Sequence, residues 1–176
     1  MLVNIPDTAK KADDVLNKCG SRDPYRIAKE LDIEIMSCRF KLQRGAYKVI
    51  LKNRFIFIKD DLTPVMKKIV LLHEIGHDVL HRGFAIKSGG FEEYDIFGMQ
   101  DRQMEYEANI FAAQLSLPDD EILEYIKRGC DIGQIARAMD TDKNLVAIKA
   151  DTLIAKGYPL RRQGHSNEFL KYDKNI

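Results

Sequence analysis

His73, Glu74 and His77 stand in the order H-E-x-x-H inside an apolar stretch that reads as helix. A helix turns roughly 100° per residue, so the two histidines lie about 40° apart around the axis and one turn apart along it. Two imidazoles so placed can hold one metal ion. Glu74 falls about 60° from His77 on the other side of that stripe. There it can reach a water on the ion but is badly placed to be a third ligand, which suits a general base. A zinc ion with three protein ligands keeps a fourth position for water and lowers the pKa of that water to about 7. The chemistry this allows is amide hydrolysis.

The helix that must carry these groups is visible in the pattern around them. Val65, Ile69, Leu72, Gly76, Val79 and Leu80 share one face, and the two histidines line its flank. His81 opens a second register, because His77 and His81 are also one turn apart. Residue 78 is Asp, one methylene shorter than the usual Glu base, and His73 and His81 lie about 12 Å apart along the axis, so all three cannot hold one ion. His81 is therefore read as cleft wall or as a support behind the metal ligands.

A third ligand must come from elsewhere, and the acidic candidates are Glu92, Glu93, Asp95, Asp101, Glu105 and Glu107. Helical phase narrows them. Between Asp101 and Ser116, the residues Met104, Ala108, Phe111 and Leu115 form a core face. Glu105, Asn109 and Ala112 share one flank, and Glu107 shares the opposite, polar flank with Gln103 and Gln114. Glu105 has small neighbours that let another helix approach. Asn109, one turn on, can accept a hydrogen bond from the far ring nitrogen of a ligand histidine and so orient it. Glu105 is the choice as ligand, with Glu107 as the alternative.

The segments Leu71-Leu-His-Glu-Ile-Gly-His-Asp-Val-Leu-His81 and Glu105-Tyr-Glu-Ala-Asn-Ile-Phe-Ala-Ala-Gln-Leu-Ser-Leu-Pro118 resemble the ImmA/IrrE family of bacterial metallopeptidases. The resemblance extends to the lead-in Asp23-Pro-Tyr-Arg-Ile-Ala-Lys-Glu-Leu-Asp-Ile33, the short strands before the histidine helix and the helical C-terminal part. It implies that the first Glu of the E-x-E-A-N segment, here Glu105, is the third ligand, in agreement with the phase argument. It also implies a zinc endopeptidase acting on a helix-turn-helix repressor, an anti-repressor of a mobile element or a stress regulon. Ser116-Leu117 departs from the two larger apolar residues often found before the proline.

The expected fold is α+β: a minimal zincin-like domain with a small three-stranded sheet, an HExxH helix, a Glu-bearing ligand helix and a helical C-terminal part. Residues 1–117 form the peptidase core, 118–156 a helical extension of the same domain, and 157–176 a flexible tail. Helices are expected over 8–18 and 24–31, the second capped by Asp23 with Pro24 at its first position. Strands are expected at Ile33 to Cys38, Ala46 to Leu51 and Arg54 to Lys59, with Lys52-Asn53 as a hairpin turn. The histidine helix should be capped near Thr63-Pro64. Glycines at 83, 89, 90 and 98 make Arg82 to Gln100 a mobile loop bordering the cleft, and three short helices follow Pro118.

At 176 residues with net charge +1, the chain fits one globular core. No apolar run is long enough to span a bilayer, and Pro6 arrives before a signal-peptide core could form, which places the protein in the cytoplasm without membrane association. Three cysteines, Cys19, Cys38 and Cys130, are odd in number and lack C-x-x-C pairing, so they read as reduced thiols. The strand Arg54 to Lys59 is the candidate edge for an extended peptide. Tyr47, Tyr94 and His81 are candidate donors to a developing oxyanion.

Two other classes of function compete with catalysis. Asp131 to Lys149 has the apolar spacing of a helix-turn-helix, but its second helix mixes Lys143 and Lys149 with three aspartates, whereas DNA binders concentrate positive charge. No direct nucleic-acid contact is therefore expected. The other reading is a metal-bound regulator that displaces a repressor without cutting it. It is disfavoured because such a protein has no need of a base beside the metal.

Overall fold

The computed structural model describes residues 3–93, 102–163 and 169–172. Its first helix, α1 (Ile5–Cys19), starts where the Asn4 side chain accepts from the Asp7 N–H and stops at Gly20, whose φ of 61° is left-handed. In α2 (Pro24–Glu30), the Asp23 carboxylate accepts from the Tyr25 N–H at 3.3 Å, and Pro24 occupies the first turn where no donor is needed.

Four strands form the main sheet: β1 (Ile33–Cys38), β2 (Gly45–Ile50), β3 (Asn53–Lys59) and β4 (Phe91–Glu93), in spatial order β1-β3-β2-β4. β1 runs parallel to β3, and β2 is antiparallel to both β3 and β4. The sheet thus has one strand more than the sequence pattern shows, because β4 is only three residues long. The β2–β3 turn is Leu51-Lys52, both left-handed at φ 50° and 69°, as a two-residue hairpin of matching twist requires. It sits one residue before the expected Lys52-Asn53. The expectation that β3 is an edge is overturned. It lies between β1 and β2, and among the described residues the edges are β1 and β4.

The long helix α3 (Pro64–Ser88) begins with the Thr63 hydroxyl accepting from the Met66 N–H at 3.2 Å and ends at Gly89, φ 91°. Its last two turns replace the front of the loop expected from Arg82. Gly83 has open space around it and stands inside the helix without ending it. Arg82 pairs back one turn to Asp78, at 2.7 Å, and supports the continuation. Residues 94–101, the rest of that expected loop and the place of Tyr94, Asp95 and Asp101, lie outside the described residues.

α4 (Arg102–Ser116) is followed by α5 (Asp119–Lys127), α6 (Ile132–Ala138) and α7 (Lys143–Ala155). The order of packing is sheet, then α3, then α4, with α1 and α7 on α4's remaining sides. Leu145, Val146, Ala150 and Leu153 of α7 therefore belong to the same apolar core as Ile69, Leu72 and Phe111. The segment expected to be a flexible tail contains β5 (Leu160–Gln163) and β6 (Phe169–Tyr172), an antiparallel hairpin. Cys19, Cys38 and Cys130 are free thiols. Among the described residues no helix is long and apolar enough to cross a membrane.

The helix-turn-helix spacing of α6 and α7 serves the core. Lys149 is fully buried, its ammonium held by Gln114 Oε1 at 2.5 Å and by the Asp119 carboxylate, which also takes Lys156 at 2.6 Å. Gln114 in turn donates to Asp13 of α1 at 2.7 Å. The flank of α4 that the sequence reads as polar is thus turned inward at Gln114, where it ties α1, α5 and α7 together, and Lys149 is unavailable to a phosphate.

Burial alone would raise the Asp119 carboxyl, but hydrogen bonds from Lys149 and Lys156 outweigh it and hold it below the usual aspartate range. A carboxyl lowered in the folded state stabilises the fold above its unfolded pKa and loses that contribution as pH falls through its folded value. Asp119→Ala should cost about 3 kcal/mol in urea denaturation at neutral pH, because it strands the buried Lys149 charge. The gap between variant and wild type should narrow in titrations carried below the usual aspartate pKa. A gap that does not change with pH would show that the ion pair is not its source.

Candidate metal centre

From Ile69 to Asp78 every residue of α3 is buried, because the sheet covers one side and α4 the other. Polar side chains in this stretch must therefore find partners inside the protein. Gly76 makes the α4 contact close: a Cβ there would lie 3.2 Å from Ala108 Cα and 3.3 Å from its carbonyl oxygen. This approach brings the flank of α4 that carries Glu105 and Asn109 against the two histidines.

His73 Nε2 and His77 Nε2 are 3.0 Å apart. Glu105 reaches both, with Oε2 at 3.1 Å from His73 Nε2 and Oε1 at 3.4 Å from His77 Nε2. The ligating atoms of the three residues lie within 4.8 Å of one another. Zn–N distances of about 2.0–2.1 Å at tetrahedral angles place donor atoms about 3.3 Å apart, so the observed separations fit a single ion. The donor set, two imidazoles and a carboxylate, also suits zinc.

On its far side, His73 Nδ1 meets Asn109 Oδ1 at 2.9 Å. The amide oxygen can only accept, so Nδ1 carries a proton, as it does in the tautomer whose Nε2 can bind a metal ion. His77 lies face to face with Phe91 of β4, ring centroids 3.9 Å apart and planes 14° from parallel. Burial is the main reason its pKa is lowered to about 4, against the opposing hydrogen bond to Glu105. Burial alone would raise the Glu105 carboxyl, but its hydrogen bonds with His73 and His77 hold it well below the usual carboxylate range.

Glu74 is fully buried and faces the start of β2. A Cβ on Gly45 would come within 2.7 Å of Glu74 Oε1 and 2.6 Å of Val70 Cγ1. Gly45 thus leaves the space that the Glu74 carboxylate occupies. Nothing in the local sequence marks that role, since the two residues are brought together only by the packing of β2 on α3.

The other sequence candidates are distributed differently from expectation. Tyr47 is fully buried and its hydroxyl donates to Asp78 Oδ1 at 2.6 Å, which removes it as an oxyanion donor. Burial and that bond raise its pKa. Asp78 also receives Arg54 Nη1 at 3.2 Å and a fork from Arg82, Nε at 3.1 Å and Nη2 at 2.7 Å. It fastens α3 to β2 and β3, a role that its dismissal as a base did not anticipate. His81 stands behind His77, with Nδ1 facing Nδ1 at 3.1 Å and Nε2 against Glu107 Oε2 at 2.8 Å. Both ring nitrogens of His81 thus have partners within the fold. Glu107, the alternative third ligand, is occupied with His81 instead. A separate cavity of about 370 Å³, lined by Arg22, Ile69, Leu117 and Met139 among others, includes none of the metal-site residues.

A family model described as the IrrE N-terminal-like domain, a peptidase family, matches residues 28–149. The chain belongs to this family. The match runs from α2 to α7, so it takes in both helices of the candidate site and the helices after Pro118. The chain is also 29% identical over 112 residues to the uncharacterized immunity region protein 2 of Bacillus phage phi105, covering 63% of this chain and 68% of that protein. Membership of the IrrE N-terminal-like family implies metallopeptidase chemistry, and His73, His77 and Glu105 have the geometry to hold the metal.

Titration of metal-free protein with zinc against a competing chromophoric chelator should give one equivalent per chain. At free zinc 100-fold above Kd the wild type should gain about 2.7 kcal/mol of stability, read as a rise in thermal midpoint. His73→Ala and Glu105→Ala should each lose the tight site and the rise with it. Equal stabilisation of these variants would place the metal elsewhere.

Proposed function

We propose that the protein is a zinc-dependent endopeptidase that acts in the cytoplasm on a helix-turn-helix transcriptional repressor and so relieves repression of a mobile element or stress regulon. The observation that carries the reading is the convergence of His73, His77 and Glu105, with Glu74 one residue from His73, in a member of a peptidase family. His73, His77 and Glu105 are the ligands. Zinc held there would supply Lewis acidity toward a scissile carbonyl and a water. Glu74 is the general base, taking a proton from the attacking water and delivering it to the departing amine nitrogen, so that the cleavage balances. Asn109 keeps His73 in the tautomer that can bind the metal.

β4 takes over the peptide-holding role expected of β3. It is an edge strand among the described residues, and its Phe91 stacks on His77. An extended segment can add to such an edge through backbone hydrogen bonds, with side-chain pockets supplying selectivity. The similarity to a protein of a phage immunity region supports a repressor as the partner. The burial of Lys149 in the core supports a protein substrate over direct DNA contact.

Incubation of the zinc-loaded protein with a candidate repressor, read by mass spectrometry, should yield two fragments from one bond. Glu74→Gln should bind as much zinc yet cut at least 100-fold more slowly, the usual scale for losing a general base. Release of the repressor from its operator without fragments would favour displacement. A Glu74→Gln variant as fast as wild type would sink the proposed role of that carboxylate.

A further inference from the structure

Gly45 is the first residue of β2 and faces α3. Among the described residues the left-handed glycines are Gly20, Gly89, Gly90, Gly129 and Gly157. Backbone conformation therefore does not call for glycine at 45, and what its missing side chain supplies is room. A Cβ there would stand 2.6 Å from Val70 Cγ1, 2.7 Å from Glu74 Oε1 and 3.4 Å from Glu74 Cδ. The two shorter distances fall far inside the roughly 3.5–4.0 Å optimum of non-bonded carbon contacts.

The surroundings decide what such an atom would displace. β2 is held on both sides at this point, because Gly45 pairs with Ile58 of β3 and with Glu93 of β4. One residue earlier, the Lys59 N–H donates to the Arg44 carbonyl at 3.0 Å. α3 is held as well: the Tyr47 hydroxyl ties Asp78 to β2 at 2.6 Å, and Gly76 already lies against Ala108 of α4. Val70 is branched at Cβ and has few rotamers to escape into. The longer Glu74 side chain is the part that can give way.

We propose that Gly45 is a positioning residue for Glu74, its bare backbone forming the wall that holds the carboxylate at working reach of the metal site. The inference rests on the reading of Glu74 as general base. A base must stand within about 2.6–3.2 Å of the atom whose proton it takes, and a misplacement of about 1 Å can cost on the order of 100-fold in rate. Through its pairing with Glu93, the same residue ties the place of the base to the register of β4, the edge that would hold the peptide. An added methyl group at 45 acts on the rate of the chemical step and leaves zinc and peptide binding in place.

The first test needs neither metal nor substrate. Gly45→Ala should weaken the folding equilibrium of metal-free protein by about 10-fold or more in urea, as overpacking a buried site does. In a Val70→Ala, Glu74→Ala background, where both contacts are gone, the same substitution should cost less than about 3-fold. The second test reads the rate, with Val70→Ala included to relieve the apolar clash so that the contact with Glu74 remains. Val70→Ala alone should keep kcat within about 3-fold of wild type. Adding Gly45→Ala should leave zinc affinity and the KM for the repressor near those of wild type and lower kcat by about 10- to 100-fold. In a Glu74→Gln background, the same addition should cost less than about 3-fold, because the group it displaces no longer serves as base.

A folding penalty that persists without the Val70 and Glu74 side chains would show that glycine serves the strand alone, and would overturn the proposal. So would a loss of kcat that multiplies with that of Glu74→Gln. A wild type that cuts no repressor fails the peptidase reading instead, and the folding measurements still decide whether Gly45 walls the carboxylate.

Discussion

The close approach of α3 and α4 at Gly76 and Ala108 is the constraint on which the site depends. With any side chain at 76, the added carbon would press on the α4 backbone at about the minimum tolerable distance. With none, the helices come near enough for Glu105 to touch both His73 and His77 and for Asn109 to reach the far side of His73. Glycine in a helix interior costs about 1 kcal/mol relative to alanine. Here that cost is offset by packing and by the hydrogen bonds that the short separation permits.

A helix enclosed on both sides makes strong demands on its polar residues. Burying an unpaired charge is far more costly than a surface pair is beneficial, so each such group on α3 must be matched. On the sheet side Asp78 is satisfied by Tyr47, Arg54 and Arg82, which fixes α3 to β2 and β3. On the α4 side His73 meets Asn109 and Glu105, His77 meets Glu105, and His81 meets Glu107. The same burial holds the rings in fixed orientations. Polar contacts at the other end of α4 repeat the device, since Gln114 and Asp119 between them accommodate the fully buried Lys149.

Much of the fold was legible because it is locally encoded. The caps Asp23-Pro24 and Thr63-Pro64 are where the side-chain chemistry puts them, and the strands of the hairpin are marked by runs of β-branched and aromatic residues. What was misread is non-local. Leu51-Lys52 carries the turn because strand register, set by pairing with β3, decides which residues turn. β4 is too short to show a period and exists through pairing with β2. Gly83 reads as a breaker, yet the helix runs on to Ser88 with the support of the Asp78–Arg82 pair. A single amphipathic face was visible on α3 where the structure buries the stretch Ile69–Asp78 all round, since the polar residues on the other faces hide their burial from any pattern of hydrophobicity.

By itself the sequence determined the chemical inventory: two histidines one helical turn apart, a glutamate beside them, and a second helix whose phase sets Glu105 and Asn109 on one flank. Those are consequences of 3.6 residues per turn and need no knowledge of the rest of the chain. The tertiary structure alone decided which groups meet across elements. It gave Glu107 to His81, Tyr47 to Asp78 and Gly45 to Glu74, and it placed β3 in the middle of the sheet and β4 at its edge. The physical reason is that helical phase fixes direction within one element, whereas distance between elements depends on the packing of the whole core.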